Sequence, residues 1–372
     1  MNNKIVAITA NTSWYIFNFR KNTILELINN HYTVVVLAPR DDYTERLIGL
    51  GCHFNEVKID RGGVNPLKDL STLYQFYNFY KKNNVSVVLN FTPKNNIYST
   101  IAAYFNNLKV VNNIAGLGTV FTKNNLLTKL VKQLYKYSQS KADFIFFQNK
   151  EDCHLFTKLG IDSIGSDVLP GSGVDLLKFK YEDIPDDGLV TFSLVARLLI
   201  DKGIIEYAEA AKKLKLIYGD KVCFQLIGFL EKNNPRSVTS DQINEWVNAG
   251  YIDYLGKTDD IATTLKNVDC VVLPSFYREG VPKSLLEAAA LGKPIVTTDN
   301  VGCRDTVDDG VNGYICMPGS SDDLALKMEL IINKTHLERV GMGRKGRDKI
   351  VKFYDERIVI NKYLAVIDSI VT

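Results

Sequence analysis

The chain has 372 residues, of which 46% are hydrophobic, and it carries a formal net charge of only +3 at pH 7. Its length exceeds one ordinary hydrophobic core and favours two domains, and so small a net charge leads us to expect no nucleic-acid partner. No apolar run reaches the roughly 18 residues that a membrane span needs, and Met1–Lys4 leads directly into a strand instead of a signal peptide, so we expect a cytoplasmic protein.

The chain opens with a strand-helix-strand pattern. Lys4–Thr9 and Thr33–Ala38 are apolar runs typical of buried parallel strands, and a helix is predicted between them from about Phe19 to Asn29. The turn after the first strand contains no glycine, which argues against NAD or FAD, because their pyrophosphate needs a close backbone approach there. Its side chains suit a sugar better, although a packed Trp and Tyr with a surface Arg is the alternative. The candidate contacts are Asn11, Thr12, Ser13, Trp14, Tyr15 and Arg20.

Further strands are predicted at Val85–Asn90, Lys109–Asn113 and Phe144–Phe147. The segment from Asn112 to Gly118 follows one of these strands, and its two glycines allow the backbone to approach a ligand closely. Asn112 and Gly116 are therefore added to the candidate ligand contacts.

The stretch from Asn124 to Ser140 predicts a basic amphipathic helix. Lys129, Lys132 and Lys136 lie opposite an apolar arc, and no acidic residue occurs between Lys123 and Lys141. Such a helix suits either an anionic lipid surface or ordinary packing on the sheet. The apolar arc consists of Leu126, Leu127, Leu130, Val131, Leu134 and Tyr137.

Two further features favour the lipid surface. Up to Lys180 there are 21 Lys and Arg against 13 Asp and Glu, or +8, whereas the remainder has 24 against 29, or −5. The basic half also carries an aromatic cluster that is followed by Lys81 and Lys82. That cluster consists of Tyr74, Phe76, Tyr77, Phe79 and Tyr80.

The composition places an interdomain linker between about residues 175 and 188, a polar, proline-containing stretch that ends at Asp186-Asp187-Gly188. After it, Leu189–Val195 predicts a new strand, followed at once by Arg197 and Lys202. Either residue alone suggests a surface cation, but together at a strand end they suit a diphosphate. Gly228 and Gly256 each follow a later strand, where backbone groups are able to hold a nucleotide base.

The stretch from Asp269 to Thr298 predicts a strand, a loop, a helix and a strand. Pro282 fits the first helical position, and Gly292 closes the helix, so the loop meets the positive end of the helix dipole, which favours an anion. Glu279 lies in this loop and Glu287 in the second helical turn. Alternatively, Glu279 caps the helix and Glu287 is a solvated surface charge.

The spacing of the cysteines, histidines and aspartates does not indicate a metal site or disulfide bonds. The six cysteines show no C-x-x-C pair, and the four histidines are scattered. Several cysteines lie in apolar runs, which is typical of buried reduced thiols. No two aspartates are separated by a single residue, so a D-x-D metal motif is absent. We expect no metal and no cofactor.

The string Glu-Gly-Val-Pro-Lys-Ser-Leu-Leu-Glu, followed by Ala-Ala-Ala-Leu-Gly-Lys-Pro, resembles family 4 glycosyltransferases, and the resemblance covers nearly the whole chain. It implies the α/β GT-B fold, in which two Rossmann-like, doubly wound domains face a central cleft and the last helix crosses back to the first domain. The predicted domains are residues 1–175 with about 355–372, which would bind the acceptor, and residues 176–354, which would bind a nucleotide sugar.

The resemblance also assigns roles to the candidate residues. The catalytic residues are expected to be Glu279, Arg197 and Lys202. Acceptor contacts are expected from Asn11, Thr12, Trp14, Arg20, Asn112 and Gly116. The donor is expected to contact Arg197, Lys202, Gly228, Gly256, Glu279, Gly280, Val281, Pro282, Lys283, Ser284 and Glu287.

The subset with a Gly-Leu-Gly segment builds lipid-linked oligosaccharides, and this chain carries Gly116-Leu117-Gly118 where many family members have a histidine. The resemblance implies retaining transfer of an N-acetylhexosamine, GalNAc or GlcNAc, from a UDP-sugar to an undecaprenyl-diphosphate-linked saccharide. Such an enzyme would contribute to O-antigen, capsule or protein-glycan synthesis, without a metal, at the anionic inner face of the cytoplasmic membrane.

Two other functions fit the same fold. A UDP-sugar epimerase needs acid and base groups around the sugar, and a non-catalytic nucleotide-sugar-binding subunit would have lost site residues. No nucleophile paired with a general acid is evident, so front-face substitution is favoured over double displacement.

Overall fold

The computed structural model describes residues 4–60, 63, 65–116, 126–161, 164–231 and 234–371, with the backbone alone at residues 126–128. The strands are β1 (Ile5–Thr9), β2 (Thr33–Ala38), β3 (His53–Glu56), β4 (Val85–Asn90), β5 (Lys109–Ile114), β6 (Phe144–Phe147), β7 (Ser166–Val168), β8 (Val190–Val195), β9 (Val222–Ile227), β10 (Asp253–Gly256), β11 (Cys270–Leu273), β12 (Ile295–Thr298) and β13 (Gly313–Cys316). The helices are α1 (Ser13–Asn29), α2 (Thr44–Ile48), α3 (Pro66–Lys82), α4 (Pro93–Tyr104), α5 (Leu126–Gln139), α6 (Lys150–Lys158), α7 (Ile204–Tyr218), α8 (Ser240–Asn248), α9 (Ile261–Thr264), α10 (Lys283–Ala290), α11 (Ser321–Ile332), α12 (His336–Phe353) and α13 (Glu356–Val371).

The chain divides into two compact units. Unit 1 comprises Met1–Ser172 and Arg357–Thr372, and unit 2 comprises Gly173–Glu356. The division thus falls slightly before the predicted 175, because Val174 already belongs to unit 2. Its backbone pairs there with Tyr354 and Glu356 through N–H···O bonds of 2.9 and 3.1 Å.

Unit 1 is a parallel sheet with the strand order β3-β2-β1-β4-β5-β6-β7. Helices cover both faces, as the apolar runs of its strands require. On one face α3, α4, α5 and α6 pack through side chains such as Phe76, Ile101 and Tyr135. On the other face lie α1 and α13, and the latter contributes Tyr363 and Ile367.

Helix α1 is longer than the sequence suggested. It begins at Ser13 instead of about Phe19, because Thr12 caps it by accepting a hydrogen bond from the Tyr15 amide at 2.9 Å. Much of the predicted turn is therefore helical, and Trp14 and Arg20 lie on the helix.

Unit 2 is a parallel sheet with the strand order β10-β9-β8-β11-β12-β13. One face is covered by α7, α8 and α11, with Tyr207 and Met328 in its core. The other face is covered by α9, α10 and α12, with Leu286 and Ile350 in its core. Both units are Rossmann-like α/β sheets, as the resemblance implied.

Candidate active site

The strand order of unit 2 reverses between β8 and β11. The chain runs outward from β8 through β9 to β10 and then returns to β11, which pairs directly with β8. Because all these strands are parallel, the loops that follow them emerge at one edge of the sheet. Such a reversal opens a crevice in which α/β proteins bind ligands, and it is where the sequence places Arg197, Lys202 and Glu279.

Lys202 and Glu279 meet in this crevice as an ion pair. Ser275 Oγ also donates a hydrogen bond of 3.0 Å to Glu279 Oε1. The two charged side chains are only 14% and 13% exposed. The structure therefore brings together two of the predicted catalytic residues and adds Ser275 as a partner that sequence reasoning missed.

The loop after β11 is fastened to the short turn that carries Lys202. The Asp201 carbonyl accepts hydrogen bonds from the amides of Phe276 and Tyr277, both at 3.1 Å. Asn300 Nδ2 donates to the Tyr277 carbonyl at 2.7 Å from the other side. These hydrogen bonds hold the turn that carries Lys202 and the loop after β11 in fixed positions, so a site built on them needs little rearrangement when a ligand binds.

Gly302 allows a second loop to support Glu279 from behind. Its φ is +80°, and an added Cβ would lie 1.9 Å from the Gly280 carbonyl oxygen and 3.0 Å from that of Glu279. Only glycine fits both the left-handed backbone and this approach. Gly302 was not among the predicted site residues, although a glycine in the loop that follows β12 was a signal for a close backbone approach.

Arg197 lies at the same edge but outside the Lys202 ion pair. Its Nη1 lies 3.1 Å from Glu231 Oε1, and its side chain is 45% exposed. Arg236 is a further cation there, and it donates to Asp201 Oδ2 at 2.9 Å. Glu231, Arg236 and Asp201 were not among the predicted site residues. Glu231 and Arg236 lie in the segment after β9, and Asp201 directly precedes Lys202.

Helix α10 begins one residue later than expected. Pro282 is its N-cap rather than its first helical residue, and Lys283 and Ser284 open the first turn. The positive end of the helix dipole still faces the loop that carries Gly280 and Val281, so the predicted preference for an anion is retained.

Glu287 lies on the second turn of α10 and is nearly buried, with 13% of its side chain exposed. Burial raises the pKa of this carboxyl, and the positive charges of Lys283 and Lys178 partly oppose that effect. Lys283 Nζ lies 3.9 Å from its Oε1. Glu287 is therefore not a freely solvated surface charge, which was the alternative reading of the sequence.

Gly228 and Gly256 are joined by a backbone hydrogen bond. The Gly228 amide donates to the Gly256 carbonyl at 2.9 Å, and Tyr254 Oη donates to the Gly228 carbonyl at 2.9 Å. A Cβ on Gly228 would lie 1.8 Å from the Ala196 carbonyl oxygen. Close chain approach accounts for Gly228, so its predicted contact with the nucleotide base is not needed to explain this glycine.

In unit 1 the strand order reverses between β1 and β4. The loop after β1 is tied to the loop after β4 by a 3.1 Å hydrogen bond from the Asn11 amide to Thr92 Oγ1. Asn11, Thr12 and Trp14 are partly exposed at this edge. Gly116 is also partly exposed, with φ +112°, whereas residues 117 and 118 lie outside the described residues.

Two predicted acceptor contacts are wrong in their placement, because both side chains are buried. Arg20 is 1% exposed and stacks on the Phe91 ring, with 4.3 Å from Cζ to the ring centroid. Asn112 is fully buried, accepts from Asn90 Nδ2 at 2.9 Å and donates to Gln139 Oε1 at 2.7 Å. The Asn112 amide is therefore hydrogen-bonded inside the protein, and the Arg20 guanidinium packs on the Phe91 ring without a hydrogen-bond partner among the described residues.

The predicted amphipathic helix is present as α5, and part of its apolar arc is buried. Val131 and Leu134 pack against the core, whereas Leu130 is 57% and Tyr137 is 46% exposed. The aromatic cluster on α3 is divided in the same way. Phe76 and Tyr80 are buried and only Tyr74, at 62%, is largely exposed.

The described residues offer neither a membrane-spanning helix nor a cluster of metal ligands. None of the described helices is both long and apolar enough to cross a bilayer. Within the same ranges, no three His, Cys, Asp or Glu side chains gather in a way that suits a metal ion.

Comparison with known families agrees with this geometry. Residues 4–149 match the family described as Glycosyl transferase 4-like, and residues 178–349 match the family described as Glycosyl transferases group 1. The chain belongs to the glycosyltransferases. In this glycosyltransferase the two matches correspond closely to units 1 and 2, and the second includes Arg197, Lys202, Glu279 and Glu287.

Two curated relatives are similar over most of their length. The glycosyltransferase is 29% identical over 375 residues to N,N'-diacetylbacillosaminyl-diphospho-undecaprenol alpha-1,3-N-acetylgalactosaminyltransferase of Campylobacter jejuni, and 96% of each chain is covered. It is 26% identical over 310 residues to UDP-Gal:alpha-D-GlcNAc-diphosphoundecaprenol alpha-1,3-galactosyltransferase of Escherichia coli, covering 78% of this chain and 77% of that protein.

Among solved structures, a glycosyltransferase from Rickettsia africae resembles this chain with a TM-score of 0.81. Only 17% of the residues are identical, but 100% of both chains is covered. At this identity the likeness concerns the fold, and it confirms the predicted GT-B architecture of two Rossmann-like domains.

Proposed function

We propose that this glycosyltransferase moves an N-acetylhexosamine, GalNAc or GlcNAc, from a UDP-sugar to an undecaprenyl-diphosphate-linked saccharide. The relative from C. jejuni is named for GalNAc transfer to an undecaprenol-linked acceptor, and the relative from E. coli for a UDP-sugar donor and a diphosphoundecaprenol acceptor. Their coverage of both units supports donor and acceptor of the same classes here. The product would belong to a bacterial surface polysaccharide or glycan.

The observation that carries the proposal is the Lys202–Glu279 ion pair at the strand-order reversal of unit 2. An ammonium there stabilises the negative charge that develops on a leaving diphosphate. The neighbouring carboxylate is an acceptor for sugar hydroxyls, and Ser275 holds that carboxylate in place. In this proposal Glu287, on the second turn of α10, binds the ribose.

We propose front-face substitution with retention at the anomeric carbon. The acceptor hydroxyl oxygen forms a bond to C1 of the sugar while the bond between C1 and the β-phosphate oxygen breaks on the same face. The hydroxyl proton passes to the leaving phosphate oxygen. In this scheme Arg197 and Lys202 neutralise the diphosphate, so no metal is required. A trapped covalent glycosyl-enzyme would refute it.

We further propose that α5 brings the enzyme to the anionic membrane surface where its lipid-linked acceptor resides. Leu130 and Tyr137 are exposed on this helix beside Lys129 and Lys136. Exposed apolar and lysine side chains on one helix suit the interface of an anionic bilayer. The enzyme would then act at the cytoplasmic face of the membrane.

The test is UDP release by the purified chain over a panel of UDP-sugars, with and without a prenyl-diphosphate-linked HexNAc acceptor and with EDTA present. Release from one UDP-HexNAc only when the acceptor is present is the expected result. Equal release without acceptor, or interconversion of the UDP-sugar, would contradict transfer and favour an epimerase. Loss of activity in EDTA would contradict metal independence.

A further inference from the structure

A third cation lies beside Arg197 and Lys202 at the edge of unit 2. Arg236 follows β9, its side chain is 50% exposed, and its Nη1 donates to Asp201 Oδ2 at 2.9 Å. Asp201 directly precedes Lys202 in the chain. The Arg236 guanidinium is therefore held against the same short turn that supplies the Lys202 ammonium.

The backbone around Arg236 is hydrogen-bonded to the segment between Arg197 and Lys202. The Ile200 amide donates to the Arg236 carbonyl at 2.7 Å, and the Val238 amide donates to the Leu198 carbonyl at 3.0 Å. Between these bonds, Leu199 and Ser237 form an antiparallel bridge. The segment that carries Arg236 thus lies along the segment that joins Arg197 to Lys202, so the three cations share one framework.

Tyr277 lies beside Lys202 and is influenced by both arginines. Lys202 Nζ lies 5.4 Å from the centroid of the Tyr277 ring. Burial and the charge of Glu279 raise the pKa of the Tyr277 phenol, and the positive charges of Arg236 and Arg197 oppose this rise. The charges of all three cations therefore act on one aromatic side chain.

Each of these cations is paired with a carboxylate. Glu231 pairs with Arg197, Glu279 with Lys202, and Asp201 with Arg236. A diphosphate that binds here competes with these carboxylates for the N–H donors that they occupy, because phosphate and carboxylate oxygens both accept hydrogen bonds from cationic N–H groups.

Glu231 is the carboxylate that is most easily displaced. Its side chain is 27% exposed, against 13% for Glu279 and 15% for Asp201. Burial alone raises the pKa of Glu231, but the hydrogen bond from Asn234 and the charges of Arg197 and Arg236 outweigh burial and lower it. The Glu231 carboxylate is therefore under the influence of both arginines, as a bound phosphate would be.

We propose that Arg236 binds the donor diphosphate together with Arg197 and Lys202, and that Glu231 occupies Arg197 until the diphosphate displaces it. Asp201 engages Nη1 of Arg236, and in this proposal the other guanidinium N–H groups donate to the diphosphate. This inference rests on the proposed function, since it assumes a nucleoside-diphosphate donor. It makes Arg236 a third diphosphate ligand and Glu231 a built-in competitor.

The test is calorimetric binding of UDP and of inorganic pyrophosphate to the full chain and to variants. Arg236→Ala should weaken binding of both about tenfold, because a charge-assisted hydrogen bond is lost, and Arg236→Lys should restore part of it. Glu231→Gln should instead tighten both several-fold. Arg344→Ala, which removes another exposed arginine of unit 2 from its ion pair with Asp183, should leave binding unchanged.

The outcomes separate this inference from the proposed function. Affinities of Arg236→Ala and Glu231→Gln within twofold of the wild type would overturn the inference. So would losses in both variants together with a lower melting temperature, because that pattern indicates a structural role. Wild-type binding of pyrophosphate but not UDP would refute the UDP donor. The affinities of the variants for pyrophosphate would then still test the roles of Arg236 and Glu231. Binding of neither would overturn both.

Discussion

The Lys202 ammonium and the Glu279 carboxylate form an ion pair across 77 positions of sequence. The pair joins the loop after β8 to the loop after β11. These two strands are neighbours in the sheet, but the chain continues from β8 toward β9 on one side and from β11 toward β12 on the other. Little of either side chain reaches solvent, so each charge depends on the other for compensation.

Lys202→Ala and Glu279→Ala should each lower the transfer rate at least a hundredfold, because each removes charge stabilisation at the reacting centre. UDP release measures the rate, and circular dichroism checks that the variants fold. Lys349→Ala breaks the 2.9 Å ion pair with Asp308 in the same unit and serves as the control. Near-normal rates in either site variant would overturn the assignment.

The double variant Lys202→Ala/Glu279→Ala should melt at a higher temperature than either single variant. Each single variant leaves one poorly solvated charge without its partner, whereas the double variant leaves none. Thermal unfolding of the three variants decides the point. Additive losses of melting temperature would show that the two side chains do not interact energetically.

Glu287→Gln should raise the KM for the donor about tenfold at neutral pH, because a charged acceptor for ribose hydroxyls is lost. The pKa of Glu287 is raised by burial, so it takes up a proton at a higher pH than an ordinary carboxyl. The wild-type KM should therefore increase as the pH falls through that pKa, and the Gln variant should lack this dependence. Glu209→Gln, at an exposed position of α7, is the control. A parallel pH dependence of KM in both variants would contradict the role of Glu287.

Gly302→Ala should lower donor affinity and stability, and Gly310→Ala provides a matched comparison. Both glycines have positive φ, +80° and +72°, so both substitutions carry the same kind of backbone strain. Only at Gly302 does the added Cβ meet the backbone, 1.9 Å from the Gly280 oxygen, whereas at Gly310 nothing lies within 4 Å. A larger effect on UDP binding at Gly302 is expected, and equal effects would show that backbone strain alone matters.

Lys293→Met should change how stability depends on pH. Lys293 is fully buried, donates to the Lys266 carbonyl at 2.8 Å, and has its pKa lowered by burial to about 8. In the unfolded chain its pKa returns to about 10.4. Between these values the unfolded state binds more protons, so the Lys293 contribution to the free energy of unfolding increases with pH.

Urea unfolding at pH 7 and pH 9.5 tests this sign. The stability of the wild type relative to Lys293→Met should be greater at the higher pH, and other titrating groups cancel in the difference. A difference that stays constant, or falls, between the two pH values would show that Lys293 is not depressed in the folded state.

Changing Lys129 and Lys136 to Glu should weaken binding to vesicles of anionic lipid by about thirtyfold or more, because about 1 kcal/mol of attraction is associated with each basic residue near such a surface. Activity on a short-chain, soluble acceptor should be unchanged. Lys221 and Lys345, exposed in unit 2, give the same change of charge when converted to Glu. Equal vesicle binding by the two double variants would remove α5 from the membrane contact.

Much of the fold was predictable from apolar runs. The strands β2, β4, β5 and β6 were expected within a residue of their observed bounds, because buried parallel strands leave clear apolar patterns. The start of α1 was missed because its first turns are aromatic and polar, and its cap depends on one threonine.

The site was predictable only in part. Lys202 and Glu279 each follow a recognisable strand-to-helix pattern. Their contact could therefore be predicted once β8 and β11 were known to be neighbours in the sheet. Arg20 and Asn112 resemble ligand contacts in the sequence, because the identity of a polar residue does not show whether its side chain faces a substrate or is buried in the protein. Arg236 could not be assigned, because its pairing with Asp201 depends on a loop that folds back along another segment.

Helix α13 has a consequence for synthesis of the protein. The core of unit 1 needs Tyr363 and Ile367, but all of unit 2 is translated between residue 172 and this helix. The contiguous unit 2 is able to complete its core without α13, whereas the face of the unit 1 sheet that carries α1 stays partly uncovered until α13 is available. A chain released after residue 356 should therefore hold a folded second unit and a first unit that recruits chaperones.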